Sequence, residues 1–229
     1  ADLDCNGECG GSAQDVGCGC GNEAAEDGYD CNGNLLSSAQ QIILSSGWNL
    51  WSTYIMPEDT DMSSIFNSIV DDLIIVKNQY GAVYWPAYGL NSIGNLTNGW
   101  GYQTKMNSDA VLEISGSVIP SDYELSLQDG WGIIGYLNQE CFSADDMMGD
   151  LSNLIILKDE YGNVYWPAFE LNSIGNLCPG EGYQIKMDIE AMFTYPSGSG
   201  RLGYAEPIRM VHYDAAHNTG SNMTIGLPT

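Results

Sequence analysis

Apolar and polar residues alternate with a period of two around Ile42 and Leu44, and again around Leu125 and Leu127. That period puts one side of an extended chain against a core, so each pair predicts a strand. Gly47–Trp48 (GWNLWSTYI) follows the first pair, and Gly130–Trp131 (GWGIIGYL) follows the second, 83 residues later. Next comes a short amphipathic stretch, Asp61–Leu73 in one case and Ser143–Leu154 in the other. Asp61–Met62–Ser63–Ser64 reads as the cap of a short helix whose Ile65, Phe66 and Ile69 face the core. Leu73–Val76 is continuously apolar and β-branched, which predicts a buried strand. Tyr80–Gly81 predicts a tight turn. Val83–Tyr84–Trp85 is the returning strand, and Pro86 ends it because proline has no N–H for a ladder. Asn91–Leu96 reads as a loop or one helical turn, and Gly101–Met106 and Val111–Ser115 as two further strands.

This pattern is written twice. Residues 73–106 return as residues 154–187, with 24 of 34 positions identical at an offset of 81. A self-match of that length is the signature of a repeated structural unit. The expected fold is mostly β (α+β with short helices), built from two tandem pseudo-repeats of about 80 residues each. The repeats span 37–116 and 117–200, with a disulfide-stapled irregular arm at 1–36 before them and a tail at 201–229 after them. The tail carries strand-like Ile208–Tyr213 and a second strand, Met223, Thr224, Ile225, Gly226 and Leu227, separated by the turn signal at His217–Gly220. That second strand is expected to pair within the domain or to add to a neighbour's sheet edge.

Charge narrows the functional classes. The chain has 229 residues, 30 acids against 6 lysines and arginines, and a net charge of −24. Nothing in that balance neutralises phosphates, which excludes ordinary nucleic-acid binding. It also argues against anionic membrane surfaces. It suits a cation-rich setting, or simply keeps the protein dispersed. No apolar run approaches the roughly 20 residues needed to cross a bilayer, so membrane insertion is not expected. The chain opens at Ala1 without a methionine or a secretory leader and is read as processed or as a fragment.

Cysteines point to the compartment. Cys5, Cys9, Cys18, Cys20 and Cys31 crowd the arm, and Cys141 and Cys178 both lie in the second repeat. Such density in a Gly/Asp-rich segment indicates disulfides made in an oxidising, extracellular or cell-surface environment. Zinc is the rival reading for clustered cysteines, but the arm has no CxxC pair. Thr97 stands where the second copy has Cys178, so the two late cysteines are expected to bridge each other. That leaves five in the arm, and the odd count predicts a free thiol or a bond to another chain. The arm also spaces oxygens around glycine turns, as Asp2, Asp4 and Asn6 and as Asp27, Asp30, Asn32 and Asn34. Calcium needs such clustered hard ligands, and metal-free Asx turns are the alternative.

Three further groups bear on chemistry. All four lysines fall at matched positions, Lys77 with Lys158 and Lys105 with Lys186. The plain reading is ion pairs on a strand face, and the sharper one a Lys–Asn crosslink to Asn91 or Asn95. Tyr84–Trp85–Pro86 recurs as Tyr165–Trp166–Pro167, whose aromatics either fill the core or stack on sugar rings. His212, Asp214 and His217 form the one His-containing cluster, but no catalytic motif accompanies them and no enzyme is expected.

The DCNGECGGSA…CGCG spacer, the GWN…YWP…SIG.L..G.GYQ.KM units and HNTGSNMTIGLP together resemble tandem β-rich modules of large secreted proteins from marine, Bacteroidetes-like bacteria. The resemblance spans nearly the whole chain and implies structural and adhesive roles at the cell surface, with no catalytic residues. The expectation is an extracellular structural or adhesive subunit that polymerises into a filament or surface layer by strand addition and disulfides. The alternative is a carbohydrate-binding module that uses the Tyr-Trp-Pro strand ends.

Overall fold

The computed structural model describes residues 38–196, together with Cys18 and Gly19. These residues are mostly β with two short α-helices. The first half contains β1 (Ser38–Leu44), β2 (Gly47–Trp51), β3 (Ile55–Pro57), α1 (Met62–Ile65), β4 (Leu73–Lys77), β5 (Val83–Trp85), β6 (Leu90–Asn91), β7 (Tyr102–Met106) and β8 (Ala110–Val118). The second half contains β9 (Leu125–Leu127), β10 (Gly130–Gly135), β11 (Phe142–Ser143), α2 (Ala144–Met148), β12 (Leu154–Lys158), β13 (Val164–Trp166), β14 (Leu171–Asn172), β15 (Asn176–Leu177), β16 (Gly182–Met187) and β17 (Ala191–Phe193).

Two five-stranded antiparallel sheets share one order, β2-β7-β4-β5-β6 in the first half and β10-β16-β12-β13-β14 in the second. Their irregularities match too. The register shifts between Leu73 and Ile75 against β7, and between Leu154 and Ile156 against β16. The paired strands that flank each sheet also agree, with Leu44 opposite Ala110 in one half and Leu127 opposite Ala191 in the other. Each half has its own core. Ile42, Leu44, Trp51, Phe66, Val76 and Tyr102 belong to the first, and Leu125, Leu127, Met148, Leu157 and Tyr183 to the second.

Local signals act as the sequence predicts. Asp61 caps α1 by accepting the Ser63 N–H at 2.8 Å, and Ile65, Phe66 and Ile69 are all buried. Ser143 caps α2 in the same way, accepting the Asp145 N–H. Pro86 and Pro167 end β5 and β13 and open one turn of 3₁₀ helix each. Cys141 and Cys178 form a disulfide whose ends are 37 residues apart.

The halves meet through reciprocal contacts. Leu50 N donates to Glu160 Oε2 at 2.7 Å, and Ile133 N donates to Gln79 Oε1 at 2.9 Å. Ser52 N reaches Gly180 O at 3.0 Å, and Gly135 N reaches Gly99 O at 2.8 Å. Trp51 bridges Glu181, and Ile134 bridges Trp100. In each pair the second contact is the first with its residues exchanged for their matched positions, offset by 81 or 83. Exchange of that kind is the pattern of an isologous interface, here within one chain. It also covers the outer edges of β2 and β10, whose amides would otherwise be open to a foreign strand.

Candidate binding site

A β-strand turns alternate side chains to opposite faces, so each five-stranded sheet has a core face and an outer face. Tyr84 pairs with Val76 on the core side, while Val83 pairs with Lys77 on the outer side. The same division holds for Tyr165 and Leu157 against Val164 and Lys158. Lys105 sits directly across from Trp48, and Lys186 across from Trp131.

These residues close into two clusters. Lys77 Nζ stands 5.0 Å and Lys105 Nζ 5.8 Å from the Trp48 ring centre. Lys158 and Lys186 stand 4.9 and 5.8 Å from that of Trp131. All are within the roughly 6 Å at which an ammonium is drawn to an indole face. Each lysine of the chain is thus stacked on an indole, which replaces the ion-pair expectation. Asn91, named with Asn95 as a crosslink partner, has its amide nitrogen donating toward Asp61 and its oxygen accepting from Gly94 N at 2.9 Å. Both indoles remain about half exposed, Trp48 at 51% and Trp131 at 52%.

The two clusters belong to one surface. A cleft of about 300 Å³ is lined by Lys77 of the first half and Trp131 of the second, with Gln103 and Gln184 in its wall. Its counterpart, about 410 Å³, is lined by Lys158 and Trp48 with the same two glutamines. Gln103 and Gln184 are themselves matched positions, so they mark the seam between the halves. Both volumes fall in the roughly 300–1,000 Å³ range of small-ligand sites. An indole, carboxamides and an ammonium together offer an apolar platform, hydrogen-bond donors and positive charge.

Of the aromatics proposed from sequence, Tyr84 and Tyr165 are core residues, 6% and 5% exposed, and cannot present a ring to a ligand. Burial pushes both phenols above their ordinary range, with Asp61 and Asp145 adding to it. Trp85 and Trp166 are half-buried, packed edge-on against Tyr88 and Phe169 at 4.6 and 4.5 Å. They lie at the far side of each sheet, on the strand beyond the lysines. The platform residues Trp48 and Trp131 were legible only as repeat markers.

Among the described residues, no group of three His, Cys, Asp or Glu side chains is placed to hold a metal. The calcium ligands expected at Asp2, Asp4, Asn6, Asp27, Asp30, Asn32 and Asn34 lie outside the described residues. So do Cys5, Cys9, Cys20 and Cys31, the His212–His217 cluster and the strand Met223–Leu227. Cys18 is disulfide-bonded. No helix among the described residues is long and apolar enough to cross a membrane. Compared with family models, curated proteins and solved structures, the chain matches none.

Proposed function

We propose that the chain is an extracellular adhesive module of structural character, and that its adhesive surface is the outer face carrying Trp48 and Trp131. One observation supports this above the others. Two half-exposed indoles, each flanked by two lysines, sit on either side of the seam between the halves. An exposed aromatic bordered by polar side chains at the mouth of a cleft is the kind of surface that a ligand covers. The Cys141–Cys178 disulfide fits a chain that folds outside the reducing cytosol, and the extracellular assignment follows that line.

A carbohydrate surface is the partner that suits this face. A pyranose presents an apolar C–H side to an indole and hydroxyls to carboxamides, and both groups are here. Glycan binding therefore moves from the Tyr-Trp-Pro strand ends to the seam. The test is adsorption to films of several polysaccharides, followed by mass uptake. The double variant Trp48→Ala/Trp131→Ala should lose most of the uptake while keeping its melting temperature within a few degrees, since both side chains lie outside the cores. Undiminished uptake by that variant would overturn the proposal.

A further inference from the structure

The two clefts on the seam are alike in shape and unlike in charge. Matched positions 78 and 159 hold Asn and Asp, and positions 79 and 160 hold Gln and Glu. The cleft lined by Lys77, Asn78, Gln79, Gln103, Trp131 and Gln184 therefore has no carboxylate in its wall. Its counterpart carries Asp159 and Glu160 beside Lys158. In a chain with 30 acids and 6 basic residues, a cleft with an ammonium and no acid is a marked local departure.

The fold does not require this difference. Asn78 Oδ1 accepts the Tyr80 and Ala82 N–H groups, both at 3.0 Å. Asp159 Oδ1 accepts the Tyr161 and Asn163 N–H groups, at 2.9 and 2.8 Å. Gln79 Oε1 accepts from Ile133, and Glu160 Oε2 from Leu50. Carboxamide and carboxylate accept the same backbone N–H groups, and Asp159 alone also accepts from Asn163 Nδ2 at 2.7 Å, where the first half has Ala82. The amides leave extra N–H donors and remove two negative charges.

We infer that the acid-free cleft binds a hexuronate unit of an anionic polysaccharide. The sugar's apolar side lies on Trp131, its hydroxyls meet the carboxamides of Asn78, Gln79, Gln103 and Gln184, and its carboxylate meets the Lys77 ammonium. Lys158 and Lys186, stacked on the same indole, add to the local positive potential. The counterpart cleft repels a carboxylate through Asp159 and Glu160 and accepts only a neutral sugar. A polysaccharide with scattered acidic units would then lie across the seam in one direction. Salt near 0.1 M screens the chain's overall negative charge beyond about 10 Å, so contact pairs in the cleft outweigh it.

This inference rests on the adhesive reading of the face, and the experiment separates the two. Calorimetric titration of the full chain would use oligogalacturonate and its carboxyl-reduced, neutral form. The expected result is about one site per chain for the acid form, with the neutral form weaker by about tenfold, the value of one charged hydrogen bond. Asn78→Asp/Gln79→Glu copies the second half's own residues, so it should fold normally and lose that preference. Asp159→Asn/Glu160→Gln should raise the acid form to two sites per chain. Equal affinity for both forms, unchanged by Asn78→Asp/Gln79→Glu, would overturn the inference and leave the adhesive reading standing. Binding of neither form, together with film uptake unaffected by Trp48→Ala/Trp131→Ala, would overturn both.

Discussion

Gly182 lies directly under the backbone of Trp51: a Cβ at Gly182 would stand 2.7 Å from the Trp51 carbonyl oxygen. The relationship is returned by Gly101, where a Cβ would stand 2.7 Å from Ile134 O. Neither glycine has a positive φ, so close approach between the halves, and not turn geometry, requires them. Gly182→Ala forces the two backbones apart and is expected to cost about 1–3 kcal/mol, as overpacking does. Gly101→Ala should cost a similar amount. Urea unfolding of the two variants measures both, and an effect confined to one of them would mean that the two contacts are not equivalent.

Trp51 and Thr104 make a buried polar pair that the other half lacks. Trp51 Nε1 donates to Thr104 Oγ1 at 2.7 Å, in a core where both residues are at most 1% exposed. The matched positions are Ile134 and Ile185, apolar on both sides. Removing one partner orphans a buried donor, whereas removing both does not. Thr104→Val is expected to cost about 1–3 kcal/mol. In a double-mutant cycle with Trp51→Phe, the second change should cost less once the first is made. Strict additivity would show that the hydrogen bond contributes nothing.

The Cys141–Cys178 bridge ties the residue just before β11 to the loop after β15. In the chain-entropy account, closing a loop of that length is worth up to about 4 kcal/mol. Cys141→Ser/Cys178→Ser should therefore lower the unfolding midpoint of the second half's core more than that of the first. Hydrogen exchange resolves the two cores, and equal loss of protection in both would show that they unfold as one unit.

Glu181, at the interface, is expected to make stability depend on pH. Burial raises its carboxyl above the ordinary value near 4.5, the Tyr183 hydroxyl bond opposes this, and Asp159 and Glu160 add to it. A raised folded pKa means that the folded state holds the proton more tightly. The stabilising contribution is complete below the unfolded value and is lost as pH rises through the folded one. Glu181→Gln should flatten the melting-temperature profile over that window and raise it at neutral pH. A profile unchanged by the substitution would contradict this linkage.

Much of the architecture was readable because the chain repeats itself and its local signals are strong. Ile42/Leu44, Leu73–Val76, the Asp61 cap and the Pro86 stop each depend on neighbours in sequence, and each is found where expected. The proposed binding face was not readable, and the reason is parity. In Val83–Tyr84–Trp85 every side chain is large and apolar, so the strand does not reveal that Tyr84 is the one turned inward. Trp48 and Leu50 share a parity, yet Leu50 is 7% exposed and Trp48 51%. Such a difference arises at the seam, where Leu50 N bonds Glu160 of the other half, and no local pattern encodes it. The matched lysines were visible, but their partners are indoles one or two strands away and not acids.

The most direct test of the binding face is the set of indole N–H signals in ¹H–¹⁵N spectra, followed during titration with oligogalacturonates of increasing length. A saturable shift is expected at Trp131 and none at Trp48 at any length, because the cleft lined by Trp48 sets Asp159 and Glu160 against the carboxylate of every unit. Trp51, whose indole is bonded to Thr104 in the core, should not move. Shifts at Trp85 and Trp166 with Trp131 unmoved, or no shift at any indole, would contradict it.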